Sequence, residues 1–327
     1  MSSRGRILAF VVLAGGAVAA AAAYVAWSAL KTDAPPPPRP ATAELRLATA
    51  SKPYVVYQHV ARGPHYAEVA IASADRPGDR PTFTGLVCER VYVSAGRGVC
   101  LVPKQEALGS AVVARLFDLD FQPAHSVRLD GIASRTRVSP AGRYGATTTF
   151  VAGHSYQDEG FSTSTSLIDL DSARVLADLE KFAVTRNGKP FEAIDFNFWG
   201  VTFASDDRFY ATLQTAGDIY LVEGNVPART ARVVADDVEC PSLSPDGRRI
   251  AYKQRDGGSW RLHVLDLASG RRTPLSETRS IDDQVEWLDD GRILYGYTGD
   301  VWVVPADGRG EPRIYLHDAL SPAVVRS

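Results

Sequence analysis

The chain has 327 residues, 45% hydrophobic and 23% charged, which is enough apolar content for one large buried core or two smaller ones. Its 36 basic side chains against 38 acidic ones leave a net charge of −2, with a pI of about 6.3; this excludes nucleic-acid binding driven by phosphate neutralisation. With 3 cysteines it is not a disulfide-built scaffold.

Residues 1–6 carry Arg4 and Arg6 and are expected to form a cytoplasmic tail. Ile7–Leu30 holds no charged residue. As a helix rising ~1.5 Å per residue it is long enough to cross a ~30 Å hydrocarbon layer, and Tyr24 and Trp27 near its distal end suit the interface. The segment reads as a retained signal-anchor or as a signal peptide cleaved after export. The first gives a single-pass membrane protein with an extracytoplasmic body, the second a secreted one. Residues 31–43 include Pro35-Pro36-Pro37-Pro38-Arg39-Pro40, a stiff linker that can join neither helix nor sheet.

From residue 44 to residue 327 the sequence is a series of short Val/Ile/Tyr/Phe/Leu/Thr runs broken by Gly, Asp, Pro and Ser. The clearest unit is Leu243-Ser-Pro-Asp-Gly-Arg-Arg-Ile-Ala-Tyr-Lys253, in which a strand ends at a tight turn and a new apolar run begins. Related turns occur at Ser139–Tyr144, Ser205–Tyr210 and Asp289–Leu294, with weaker forms at Ser94–Arg97 and Ser51–Tyr54. Lys52, Gly96, Gly142, Asp207, Gly247 and Gly291 mark a period of about 40–46 residues, apart from one longer gap. A second turn follows in phase at Ala74-Asp75, Asp118–Asp120, Asp169–Asp171, Glu223-Gly224, Ser269-Gly270 and Ala306–Gly308, and then a further apolar run. Each unit therefore supplies four strands. One small sheet cannot cover both its faces, so the units are expected to stack radially as an all-β, six-bladed propeller of four-stranded antiparallel blades, preceded by one transmembrane helix.

Ser-Pro-Asp-Gly-Arg-Arg-Ile-Ala-Tyr (244–252) resembles the Pro-Asp variety of WD-like repeat found in the TolB propeller. The likeness is fullest over 244–270, partial near 139, 205 and 289, and weakest in the first two units. The amino-terminal segment taken with Cys88–Leu101, Asn197–Phe203 and Asp282–Asp290 resembles bacterial exported proteins described as TolB-like translocation proteins. The resemblance implies a propeller of the bacterial cell envelope. TolB's additional α/β domain finds no room in this chain, so its partners are not carried over.

Cys88 and Cys100 flank an expected hairpin, and an oxidising compartment permits a disulfide between them. A turn at Ala95-Gly96 pairs Cys100 with Val91, so Cys88 would have to fold back from before the strand; a disulfide and two separately buried thiols both remain open. Cys240 has no evident partner or activating base and reads as a buried small residue. No Gly-x-Ser-x-Gly, His-Glu-x-x-His, Cys-x-x-Cys or phosphate-cradling loop is present, and His263 reads as sheet packing.

Loops entering the innermost strands and loops joining second to third strands share one face of a propeller. That mouth gathers Arg135, Arg137, Asp195, Asn197, Trp199, Glu239, Asp282 and Asp283, together with the loop Gly153–Gly160. An insertion within Ala177–Gly200 is expected to face the same way. The carboxylates Asp195, Asp282 and Asp283 have the oxygen chemistry for Ca²⁺; the plainer reading is a polar, water-filled channel with the arginines neutralising the acids, and no cofactor is expected. Asn197-Phe198-Trp199-Gly200 reads either as an inter-blade plug or as a recognition loop. With no catalytic motif, the expected function is a non-enzymatic, membrane-tethered scaffold that binds an envelope protein or glycan, and no nucleic acid. The alternative is a propeller enzyme of lactonase or lyase type with a metal or polar site at the central channel.

Overall fold

A computed structural model describes residues 42–326 except 52, 107–108 and 152–161. Its strands form six sheets arranged as blades, each built on four antiparallel strands. Blade 1 contains β1 (Tyr54–His59), β2 (Glu68–Ser73) and β3 (Thr82–Val87). Blade 2 contains β4 (Arg90–Ser94), β5 (Arg97–Glu106), β6 (Gly109–Asp118) and β7 (Pro123–Asp130). Blade 3 contains β8 (Ile132–Val138), β9 (Tyr144–Val151), β10 (Ser162–Asp169) and β11 (Arg174–Asp178). After the short strands β12 (Ala183–Arg186) and β13 (Lys189–Phe191), blade 4 contains β14 (Asn197–Phe203), β15 (Arg208–Thr215), β16 (Asp218–Asn225) and β17 (Thr230–Asp236). Blade 5 contains β18 (Glu239–Leu243), β19 (Arg249–Asp256), β20 (Ser259–Asp266) and β21 (Arg272–Pro274). Blade 6 contains β22 (Glu286–Asp289), β23 (Arg292–Tyr297), β24 (Asp300–Pro305) and β25 (Arg313–Leu316). The last strand, β26 (Ala319–Val325), returns to pair with β1 as the innermost strand of blade 1 and closes the ring.

Two of the repeated turns share one anatomy. The Ser139 and Ser244 hydroxyls each accept from a backbone N–H five residues on, at Tyr144 and Arg249, both at 3.0 Å. Gly142 and Gly247 donate back to the carbonyls of the same serines with φ of +76° and +69°, a conformation that glycine adopts without a Cβ penalty. Turns also tie neighbouring blades together: Ala141 N–H donates to Asp206, and Asp246 N–H to Asp290.

The second strands are buried on both faces, as in Ile250, Ala251, Tyr252 and Lys253 of β19, because a blade packs against a neighbour on each side. Among the described residues six apolar clusters occur, and each spans one junction between neighbouring blades. The junction of blades 6 and 1 is filled by Leu294 and Val301 against Val55 and Ala70, so the last interface is as apolar as the others. Hydrophobic burial thus drives closure of the ring as well as formation of each blade.

Three details differ from the sequence reading. The strand expected before the Ser51 turn is instead a helix, α1 (Ala43–Ala50), started by Thr42, whose side chain accepts from Leu45 N–H; Leu45 is buried against blades 1 and 2. Glu223-Gly224 lies within β16 rather than at a turn. The insertion forms strands at the outer edge of blade 4 rather than a loop over the channel, with the β12–β13 turn at the same end of the blade as the β15–β16 turn. It pairs β12 in parallel with β17 and adds β13 outside it, extending blade 4 outward. The physical reason is the unpaired backbone edge of β17, which an extra strand satisfies. The expected membrane span and proline-rich segment lie almost wholly outside the described residues, as does Gly153–Gly160. Among the described residues no helix is long and apolar enough to cross a membrane.

Candidate functional site at the channel mouth

The innermost strands do not run smoothly into the mouth. Register shifts interrupt β8 between Ala133 and Arg135, β14 between Trp199 and Thr202, and β18 between Glu239 and Ser242. Such bulges re-aim side chains. Two of them meet: Gly200 has φ +63° and Cys240 φ +50°, and a Cβ on Gly200 would lie 2.6 Å from the Cys240 Cα. Only glycine fits that approach.

The bulged ends open onto a cavity of about 500 Å³ lined by Arg90, Ser134, Arg135, Phe150, Trp199, Glu239, Cys240, Lys253, Arg255, Trp260 and Asp282. Lys253 is its electrostatic centre. The ammonium lies 3.0 Å from Glu239, with side chains 4% and 9% exposed, and also contacts the more open Asp282. It sits 4.2 Å from the Trp260 ring centroid, and the Arg255 guanidinium is at the same distance from that ring. Burial pushes the Glu239 carboxyl above the usual range, despite Lys253. For Asp282, burial is outweighed by Lys253 and Arg135, which hold it below that range. Burial also acts to lower the Lys253 pKa, but the carboxylates Glu239 and Asp282 outweigh it and keep the ammonium protonated. Two carboxyls on one ammonium are therefore driven in opposite directions, the arrangement that separates a proton carrier from a fixed charge.

Across the cavity, Arg90 Nε donates to the Ser134 carbonyl at 2.9 Å. Arg135 Nη1 donates to the same carbonyl at 2.9 Å, and its Nη2 lies 3.7 Å from Asp283. Burial, and then the Arg135 charge, lower the Arg90 pKa. Asp283 is engaged by the N–H groups of Gln284 and Gly296 at 2.9 and 3.0 Å. Further down the channel, Arg137 and Arg326 flank the buried Glu286 at 3.6 and 3.7 Å. Arg137 also stacks over Tyr92 at 4.5 Å. The Tyr92 hydroxyl is pushed well above its ordinary pKa by burial and then by Glu286.

Of the residues expected at the mouth, Arg135, Trp199, Glu239 and Asp282 line this cavity, Asp283 backs Arg135, and Arg137 lies deeper. Asp195 and Asn197 are employed elsewhere. Asp195 accepts from Thr215 Oγ1 at 2.5 Å and Ala216 N–H at 2.7 Å, bracing the turn between β15 and β16. Asn197 accepts from Thr163 N–H at 2.8 Å and ties blade 3 to blade 4. Asp195 is therefore not available to the Ca²⁺ set considered from sequence. Among the described residues no group of three or more His, Cys, Asp or Glu side chains converges on a metal position. Phe198 is the inter-blade plug, in the cluster between blades 3 and 4, while its neighbour Trp199 lines the cavity. Sequence reasoning missed Arg90, Lys253, Arg255 and Trp260. Counting back from the Asp246-Gly247 turn puts Cys240 opposite Lys253, and the register shift between Glu239 and Ser242 is what brings Glu239 there, so the turn signals the neighbourhood of Lys253 but not its partner. Cys240 is buried, and burial pushes its thiol up. Cys88 and Cys100 are bonded with Cα atoms 5.4 Å apart, and Val91 pairs with Cys100 while Cys88 precedes the strand.

No family model matches the chain. Among curated proteins, dipeptidyl-peptidase 5 of Trichophyton equinum is 31% identical over 112 residues, 30% of this chain and 14% of that protein. Dipeptidyl-peptidase 5 of Porphyromonas gingivalis is 31% identical over 123 residues, 33% of this chain and 18% of that protein. The aligned region thus spans less than a fifth of either relative's length. These relatives are named as peptidases, and this overturns the expectation of a non-enzymatic scaffold, which rested on the lack of a short catalytic motif. Among solved structures, TolB from Acinetobacter baumannii superposes with a TM-score of 0.59 at 15% identity, covering 84% of this chain and 67% of that one. A nidogen/laminin complex chain gives 0.53 at 10% identity, covering 83% and 97%. In fold, the chain is a TolB-like six-bladed β-propeller of four-stranded antiparallel blades.

Proposed function

We propose that this chain is an enzyme-type propeller that takes up peptide substrate at the channel mouth. The observation that carries the reading is the cavity of about 500 Å³ in which Glu239 and Asp282 share Lys253 with their pKa values driven apart. Glu239 is the group suited to move a proton. Lys253 and Asp282 supply fixed charge, and Trp199 and Trp260 supply flat apolar walls. The peptidase names of the relatives support peptides as the substrate class. Export and membrane tethering belong to the same proposal on the uncharged segment 7–30, and the Cys88–Cys100 bond suits an oxidising compartment; the peptides would then come from proteins of the cell envelope.

The test is incubation of the purified full chain with a mixture of unblocked peptides, read by mass spectrometry beside Glu239→Gln. The reading predicts shortened peptides with the unaltered protein and their loss with the variant, which should still unfold cooperatively. Peptides left intact by the unaltered protein would overturn it.

A further inference from the structure

The Arg90–Arg135 side of the cavity holds two guanidiniums; burial acts to lower the Arg135 pKa, but the Asp283 and Asp282 charges outweigh it, and neither carboxylate is in hydrogen-bond contact with Arg135. Two guanidiniums meet at the Ser134 carbonyl, and one carboxylate, Asp283, stands within ion-pair reach of Arg135, at 3.7 Å, beyond hydrogen-bond distance. That carboxylate is already engaged by two backbone N–H groups. The Arg135 Nε atom is buried with no hydrogen-bond partner, and the Cys240 thiol beside the guanidinium is held neutral by burial. Glu239 and Asp282 are committed to Lys253. Trp199, Trp260 and Phe150 line the same space. A partly exposed guanidinium with no carboxylate in hydrogen-bond contact favours a planar anion that accepts its N–H groups, and aromatic walls favour a flat apolar group beside it.

We infer that Arg135, seconded by Arg90, anchors the free carboxylate at the carboxy-terminal end of a peptide, with the adjoining side chain against Trp199 and Trp260. This rests on the peptide reading above and adds the end by which the peptide is held. An acidic sugar would offer the same carboxylate. The terminal peptide carboxylate is favoured because the relatives are named for acting on peptides.

Calorimetric titration of the full chain tests it with N-acetyl-Ala-Ala-Phe and with the same peptide amidated at its carboxy terminus. Amidation removes the charge and little else. The expected result is at least tenfold tighter binding of the free acid, a difference that shrinks with added salt and disappears in Arg135→Gln but not in Arg128→Gln, on the outer surface. If Arg135→Gln does not fold, the comparison of the two peptides on the unaltered protein still decides the matter. Equal affinity for the two peptides overturns the carboxylate anchor and leaves the peptide reading standing. No binding of either peptide overturns the peptide reading and the anchor with it. A uronic-acid disaccharide is titrated alongside; its binding in place of the peptides overturns the peptide source.

Discussion

Replacing Lys253 by Met removes one charge while keeping an apolar stem of similar length in a site that is 4% exposed. The partner left behind is Glu239, itself buried and 3.0 Å away. Breaking a buried pair from one side costs about 3–5 kcal/mol, because the remaining charge is uncompensated. Asp282 also loses its partner, but at 66% exposure water replaces the ammonium at little cost. The cost is bounded by protonation. Burial already raises the folded-state pKa of Glu239, and loss of Lys253 raises it further. A carboxyl whose folded pKa lies above its unfolded one contributes stability that is fully present below the unfolded pKa and lost as pH rises through the folded pKa. The destabilisation should therefore be small near pH 4.5, where Glu239 is protonated with or without Lys253, and grow by about 1.4 kcal/mol per pH unit only above the raised folded-state pKa that Glu239 has in the unaltered protein, until the carboxyl ionises in the variant as well. Urea unfolding at pH 5 and pH 8 measures both ends, and the pair Glu239→Gln/Lys253→Met should recover most of the loss at pH 8. An equal loss at both pH values, or no recovery in the double variant, would refute the electrostatic account of this cluster.

Replacing Cys88 and Cys100 together by Ala opens a loop with a sequence separation of 12 and should cost about 3 kcal/mol of unfolding free energy by chain entropy; a reductant should lower the urea midpoint of the unaltered protein but not of the variant. Gly247→Ala, at φ +69° in open space, should cost about 1 kcal/mol. Gly200→Ala should cost at least ~1–3 kcal/mol more, because its Cβ would meet the Cys240 backbone; equal losses in thermal unfolding would mean that the two strands are not in close approach. Burial raises the Glu180 pKa to about 8, so this group withdraws stability progressively from about pH 4.5 to pH 8. Glu180→Gln should flatten the profile over that window and stabilise the protein at pH 8, as read by denaturant midpoints across pH.

The blade count was legible because turns recur at a near-constant period, and at Ser139–Gly142 and Ser244–Gly247 the Ser and Gly have a backbone task that local sequence announces. The closing strand was not. Residues 319–325 carry no such turn, and their partner β1 lies at the other end of the chain, so neither local pattern nor period points to the pairing. The helix before β1 had a signal in Thr42 followed by Ala-Glu-Leu-Arg-Leu-Ala, a capping residue before good helix formers. In the site, the structure brings Glu239 and Asp282 to one cavity, while Asp195 and Asn197 turn to the β15–β16 turn and to blade 3. Spacing gives the end of the propeller at which a residue lies; the bulges and local hydrogen bonds decide which way its side chain leaves the strand. Lys253 was hidden for a related reason, since a lysine ending an apolar strand reads as solvated until its register partner, Glu239, is known.

The most direct test of the account is a crystal structure of the full chain with N-acetyl-Ala-Ala-Phe. The account predicts six blades closed by 319–325, with peptide density between Trp199 and Trp260 and its carboxylate on Arg90 and Arg135. Density confined to a groove on the outer side of the blades, or a ring with another number of blades, would contradict it.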